Sequence, residues 1–159
     1  LEMPQKFLVD IDTIDLNKVT ADIDRIRQIV PHRYEIEQLS GILRFEPENK
    51  IIIGYKDVKE DEFWVRGHIP GNPLMPGVLM VEAAAQLCTY YFKSSIDTEK
   101  FFGFGGIDKV KFRGKVLPGD KLIIIAKNSE LRKRRAIFDV QGIVNGKLVF
   151  EGIIIGMAM

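Results

Sequence analysis

Residues Gly67–Phe92 read GHIPGNPLMPGVLMVEAAAQLCTYYF. The first half sets His68 in a turn built from Pro70, Pro73, Pro76 and glycines, and the second is an apolar run whose only charge is Glu82. From Gly77 onward the run is too long for an ordinary strand and rich in Ala, Leu and Met, which predicts a helix beginning after Pro76-Gly77. A helix apolar nearly all round has to be enclosed on most sides. An ionised group out of water costs several kcal/mol unless it is paired or neutralised. Glu82 therefore marks a place where a carboxyl group serves a purpose.

The enclosing material is legible on both sides of that helix. Downstream, Phe101–Gly105, Lys109–Lys115, Lys121–Lys127, Arg135–Val144 and Lys147–Gly156 read as strands. Leu117-Pro118-Gly119-Asp120 predicts a type II turn and Asn145-Gly146 a type I′ hairpin, so these strands should form an antiparallel meander. Upstream, Ile42–Phe45, Lys50–Asp57 and Glu62–Arg66 also read as strands. Leu16, Val19, Ile23, Ile26 and Val30 recur at helical spacing, which predicts a helix from Leu16 to Val30 stopped by Pro31, with residues before Asp15 as an arm. The expected architecture is α+β: one domain over 1–159, a long central helix wrapped by a curved antiparallel sheet. Residues 1–28 sit at its margin.

At 159 residues, 46% hydrophobic and 28% charged, the composition is globular. A net charge of +1 implies no global attraction to nucleic acid. Cys88 is the only cysteine, excludes an intrachain disulfide, and fits a reducing cytoplasm. No charge-free apolar stretch approaches the ~20 residues that span a bilayer, and the N-terminal region lacks signal-peptide order, so no membrane association is expected. Leu1-Glu2 ahead of Met3 reads as a cloning remnant. There is no Gly-rich phosphate loop and no metal-ligand cluster.

Three segments in a fixed order carry a resemblance: IVPHRYEIEQL (Ile29–Leu39), GHIPGNPLMPGVLMVEAAAQL (Gly67–Leu87) and FGGIDKVKFRGKVLPGD (Phe104–Asp120). The chain resembles the hot-dog-fold (3R)-hydroxyacyl-[acyl carrier protein] dehydratases of bacterial fatty-acid synthesis. That resemblance implies a hot-dog fold and removal of water from a 3-hydroxyacyl thioester to give the trans-2-enoyl product. It implies no metal or redox cofactor, the substrate being held on the phosphopantetheine of an acyl carrier protein. It also implies a homodimer, alone or as a ring of three dimers, in which His68 and Glu82 from different subunits form the catalytic pair.

The residue types suit this chemistry. Neutral imidazole, with a reference pKa of ~6.5, is a competent base for the C2 proton, the role assigned to His68. Glu82 is the acid for the departing hydroxyl, because an apolar surround favours its protonated form more strongly than the nearby helix N-terminus opposes it. Free N–H groups of Gly77 and Val78 at the helix start are the candidate receivers of charge growing on the carbonyl oxygen. Val78, Glu82 and Gln86 are four apart and share a helix face, so Gln86 either orients Glu82 or a water, or is an ordinary buried amide. Phe101, Phe102 and Phe104 are read as acyl-channel lining or as plain core. Lys109, Lys111, Arg113 and Lys115, spaced by two, predict a cationic stripe on one strand face, either for an acidic carrier or as a solvated sheet surface. Arg132-Lys133-Arg134-Arg135 reads as a basic hairpin tip. His32, in the PHRY piece, reads as a structural turn residue remote from the acid–base pair.

Ile69, Glu35-Ile36 and Ser40 depart from the residues usual in such dehydratases. Two other functions stay open at this level. One is thioester hydrolysis, with Glu82 activating water. The other is acyl or carrier binding without turnover.

Overall fold

The structure is a computed structural model describing residues 6–159; residues 1–5, including Leu1-Glu2, lie outside the described residues. In chain order the elements are α1 (Ile23–Ile29), β1 (Gly41–Glu46), β2 (Ile51–Asp57), α2 (Gly77–Ser95), β3 (Phe102–Phe112), β4 (Lys121–Arg132), β5 (Arg135–Val144) and β6 (Lys147–Ala158). The six strands form one antiparallel sheet in the order β1-β2-β4-β5-β6-β3, curved around α2. This is the hot-dog arrangement expected from the sequence. The meander is β4-β5-β6 alone, because β3 crosses to pair with β6 and becomes a sheet edge.

α2 begins after Pro76, which lacks an N–H and carries extended backbone angles, and it ends where Ile96 N–H donates to Phe92 O. Lys93 Nζ reaches Thr98 O at 2.6 Å and Lys100 O at 3.0 Å, a cation suited to the helix C-terminus. Twelve of the nineteen helix residues are buried. Leu87, Tyr91 and Phe92 are among the fully buried side chains, each worth about 1.5–3 kcal/mol on burial. Tyr91 meets Phe45 and Phe138 edge-on, and Phe92 stacks on Phe102 at 4.4 Å. Several such contacts outweigh the cost of one partly exposed carboxylate, so packing dictates where the helix holds Glu82.

The sheet is apolar on both faces. Along β2 and β4, Ile52, Leu122 and Ile124 point toward α2, while the alternate residues Ile51, Ile53, Ile123 and Ile125 form a second cluster on the outer face. Phe7, Leu8, Val9, Ile11 and Ile14 of the N-terminal arm cover that outer cluster. Gln141 on β5 fastens the arm: Leu8 N–H donates to its Oε1 at 2.8 Å, and its Nε2 donates to Lys6 O at 3.0 Å. The arm is thus part of the folded sheet layer.

Three sequence expectations need correction. The first helix covers Ile23–Ile29 only: Asp22 caps it by accepting from Arg25 N–H, while Thr20 and Ala21 bond the backbone of Ile42 and so cannot be helical. Leu16 and Val19 are exposed, so their helical spacing is fortuitous. Glu62–Arg66 is a run of turns, closed by Val65 N–H to Glu62 O and anchored by buried Trp64 and the Lys56–Glu62 ion pair. Finally, the two runs expected over Phe101–Gly105 and Lys109–Lys115 merge into the single strand Phe102–Phe112, interrupted by irregularities at Phe104/Gly106 and Asp108/Lys111, with Phe101 and Arg113–Lys115 outside it. Both turns behave as expected: Gly119 has φ +95° with Asp120 N–H bonded to Leu117 O, and Asn145 and Gly146 both have positive φ.

Replacing Gln141 with Ala removes both bonds to the arm and should lower stability by about 1–3 kcal/mol. A lower urea midpoint, with limited proteolysis newly cutting among residues 6–14, is the expected result. Burial pushes the Cys88 thiol well above its ordinary pKa, so its nucleophilic thiolate is suppressed. Native protein should therefore resist alkylation by iodoacetamide at neutral pH and become labelled on unfolding.

Candidate active site

The loop between β2 and α2 carries His68. Backbone bonds hold it on both sides: His68 N–H donates to Trp64 O at 2.7 Å, Leu74 N–H donates to His68 O at 2.9 Å, and Met75 N–H donates to Val116 O at 2.8 Å. The His68–Ile69 peptide is cis. On the ring, Nδ1 lies 2.7 Å from Leu74 O. A carbonyl oxygen only accepts, so Nδ1 carries the proton and Nε2 of the neutral ring keeps a free lone pair.

Glu82 lies one turn and a half into α2, where its surround is not wholly apolar and Gln86 reaches it, as one reading of Gln86 expected. Its side chain is 20% exposed, and its Oε1 accepts from Gln86 Nε2 at 3.0 Å. The Gln86 amide is tied at every end: Nε2 also donates to Ile36 O at 2.7 Å, and Oε1 accepts from Gln38 N–H at 2.9 Å. Those three partners admit one amide orientation, since two are acceptors and one is a donor.

A second correction concerns His32. Far from being remote, its Nε2 sits 3.2 Å from Glu82 Oε1. Within the protomer, among the described residues, the imidazole facing Glu82 is therefore His32, while His68 turns to Leu74. Arg33 holds the His32 turn by donating to Val30 O, His32 O and Arg27 O. Arg27 closes the same segment through a two-point bond to Glu37, 2.7 and 3.0 Å long. This hydrogen bond holds the Glu37 carboxyl below its ordinary pKa. The clamp thus operates above the usual carboxylate pKa and is lost as pH falls through the depressed value. The chain has only two histidines. That scarcity was the one sequence signal that could have raised His32 from the turn.

His32, Glu82, Phe102, Gly103 and Phe104 line a cleft of about 60 Å³. A larger open groove of about 610 Å³ lies beside it, bounded by Val78, Val81, Ile107, Val110 and Phe112, with Phe104 shared by both. Among the described residues no titratable group lines the larger groove, whereas His32 and Glu82 line the small cleft, and the groove is its apolar neighbour. Phe102 is a core residue stacked on Phe92 that reaches the cleft wall, and Phe101 is exposed and lines neither space. At the helix start, no acceptor among the described residues bonds Gly77 or Val78 N–H. The Phe112 ring packs so closely on Gly77 that a Cβ there would collide with it.

The cationic stripe is broken. Lys109 adopts φ +51° in the β3 irregularity, and Arg113 and Lys115 lie beyond the strand. Arg113 Nε is also 2.7 Å from Glu151. Lys109, Lys111 and Lys115 remain exposed cations without an ion pair among the described residues, but not on one strand face. At the β4–β5 tip, Arg132 and Arg135 both pair with Glu130.

Comparison with known proteins gives a consistent result. The model of the FabA-like domain matches residues 30–153. The 3-hydroxyacyl-[acyl-carrier-protein] dehydratase FabZ of Clostridium botulinum is 40% identical over 134 residues, 82% of this chain and 90% of that relative. The bifunctional enzyme LpxC/FabZ of Chlorobaculum tepidum is 40% identical over 144 residues, 89% of this chain but only 30% of that relative's length. Among solved structures, the dehydratase heterocomplex ApeI:P from Xenorhabdus doucetiae matches with TM-score 0.73 at 13% identity, over 84% of this chain and 90% of that one. Cj0977, a sigma28-regulated virulence protein from Campylobacter jejuni, matches with TM-score 0.65 at 19% identity, over 91% and 95%. These structural likenesses establish the fold. With the family match and the dehydratase relatives, they show that this chain belongs to the FabZ-like family of hot-dog dehydratases, hydro-lyases of fatty-acid biosynthesis.

Proposed function

We propose that this protein dehydrates (3R)-3-hydroxyacyl thioesters carried on the phosphopantetheine of an acyl carrier protein. His68 Nε2 takes the C2 proton, and Glu82 gives a proton to the 3-hydroxyl. The C2–H and C3–O bonds break, the C2–C3 double bond forms, and one water leaves. Transfer of the proton from His68 back to Glu82 through solvent restores both groups. Gly77 and Val78 N–H receive the charge that grows on the thioester oxygen. This chemistry needs no metal or redox cofactor, because acid, base and oxyanion donors all come from the chain. The observation that carries the reading is a partly exposed carboxylate opening into a cleft, in a chain belonging to a dehydratase family.

The same reading assembles the site in a homodimer. β3 is an edge strand of eleven residues, and Phe104, Ile107, Phe112 and Val78 expose apolar surface around the groove beside it. Such an edge is a template for pairing with a second copy. A two-fold dimer there brings the partner's histidine loop toward the Glu82 cleft, so each catalytic pair spans two subunits; further assembly into three dimers is compatible with it. The carrier approaches the exposed Lys109, Lys111 and Lys115, in the cytoplasm, and the whole chain acts as one catalytic domain.

Purified protein given a 3-hydroxyacyl carrier substrate should generate enoyl absorbance, with His68→Ala and Glu82→Gln each lowering kcat by about 10²–10⁴-fold while remaining folded. Free thiol in place of enoyl product would mean hydrolysis, and binding without either product a non-catalytic role. Ile107→Lys places a charge on the apolar groove, so light scattering should show dissociation to monomers together with loss of activity. Lys111→Glu should raise KM for the carrier-bound substrate at low salt and leave kcat nearly unchanged. An unchanged KM there would remove the carrier from that surface.

A further inference from the structure

We propose that His32 is a positioning residue for Glu82, holding carboxylate oxygen Oε1 so that Oε2 is the oxygen that carries and delivers the proton. This rests on the reading of Glu82 as the acid. Two nitrogens converge on Oε1: Gln86 Nε2 donates a hydrogen bond to it at 3.0 Å, and His32 Nε2 lies within ion-pair distance of it at 3.2 Å. In a neutral carboxylic acid the carbonyl oxygen accepts and the hydroxyl oxygen bears the proton. With Nε2 of His32 protonated, both groups donate to Oε1 and select it as the carbonyl oxygen, and the proton resides on Oε2. When the proton leaves, the same two groups stay at Oε1 and stabilise the carboxylate without rearrangement.

The donors are themselves held. Gln86 cannot flip without losing Ile36 O and Gln38 N–H. The His32 backbone is gripped by Arg33, and its segment is closed by the Arg27–Glu37 clamp. The ring is placed against the acid from outside α2 and lines the same cleft. On the ring, Nδ1 is buried and bonds no group among the described residues, so Nε2 is the nitrogen whose proton has a partner. The two histidines thus carry opposite tautomers. His68 is protonated on Nδ1 and offers Nε2 as a base, whereas His32 is protonated on Nε2 and offers it as a donor.

Histidine-selective ¹⁵N NMR reads the tautomers without turnover, and with only two histidines in the chain a His32→Met spectrum assigns both signals. Nε2 protonation at His32 and Nδ1 protonation at His68 are expected; a His32 ring protonated on Nδ1 alone overturns the proposal. Kinetics supply the second test. His32→Met fills the space without a donor and should lower kcat about 10- to 100-fold with KM within about twofold, as for misoriented catalytic groups. His32→Gln restores an N–H and should recover part of the loss. In a Glu82→Gln background, His32→Met should cost nothing further, because His32 acts only through that carboxyl. A kcat within about twofold of wild type, or an equal loss with and without Glu82, overturns the proposal. An inactive wild type would defeat the dehydratase reading while leaving the NMR result to decide the role of His32.

Discussion

A carboxylate on an otherwise apolar helix persists only if donors reach it, and in this protein they come from two directions. Gln86 approaches along α2, one turn after Glu82, because helical geometry stacks residues four apart. His32 approaches from a loop outside the helix, held by arginine bonds to backbone carbonyls. Both approach the same oxygen. The arrangement gives the two oxygens of one side chain different surroundings.

That polar cluster is affordable because the rest of α2 is so thoroughly packed. Aromatic contacts from Phe45, Phe102 and Phe138 fix the helix along its C-terminal half, away from the acid. The sheet wraps this half and leaves Val78, near the N-terminal end, 72% exposed. The uncovered end faces the groove beside the edge strand β3, so the place where wrapping stops is also where the molecule has its open apolar groove. On the opposite face of the sheet the strands are equally apolar, and the arm fastened by Gln141 supplies the missing layer.

Much of the fold was legible. The unbroken apolar run after Pro76, the Leu117–Asp120 turn and Asn145-Gly146 each encode local geometry that no distant contact had to decide. The errors have physical causes. Leu16 and Val19 repeat with helical spacing, yet the backbone at Thr20 and Ala21 bonds Ile42, and sheet pairing overrides periodicity. Glu62–Arg66 holds a short apolar run, Phe63-Trp64-Val65, of the kind strands use, but a buried ion pair and Trp64 tie it into turns. The even spacing of the basic residues failed because a backbone irregularity at Lys109 broke the alternation on which face assignment depends. The continuous apolar runs of β2 and β4 were a sign of burial on two faces, and they explain why the arm packs instead of trailing.

The sequence by itself determined the helix and its lone acid, the histidine in its proline-rich turn, the hairpins, and the ordered segments that mark the dehydratase family, because each is a property of neighbours along the chain. Tertiary structure alone decided that β3 is an edge, that the arm seals the outer face, and that His32 rather than His68 meets Glu82 within one protomer. Those outcomes depend on which distant segments share space, and residue spacing carries no information about that.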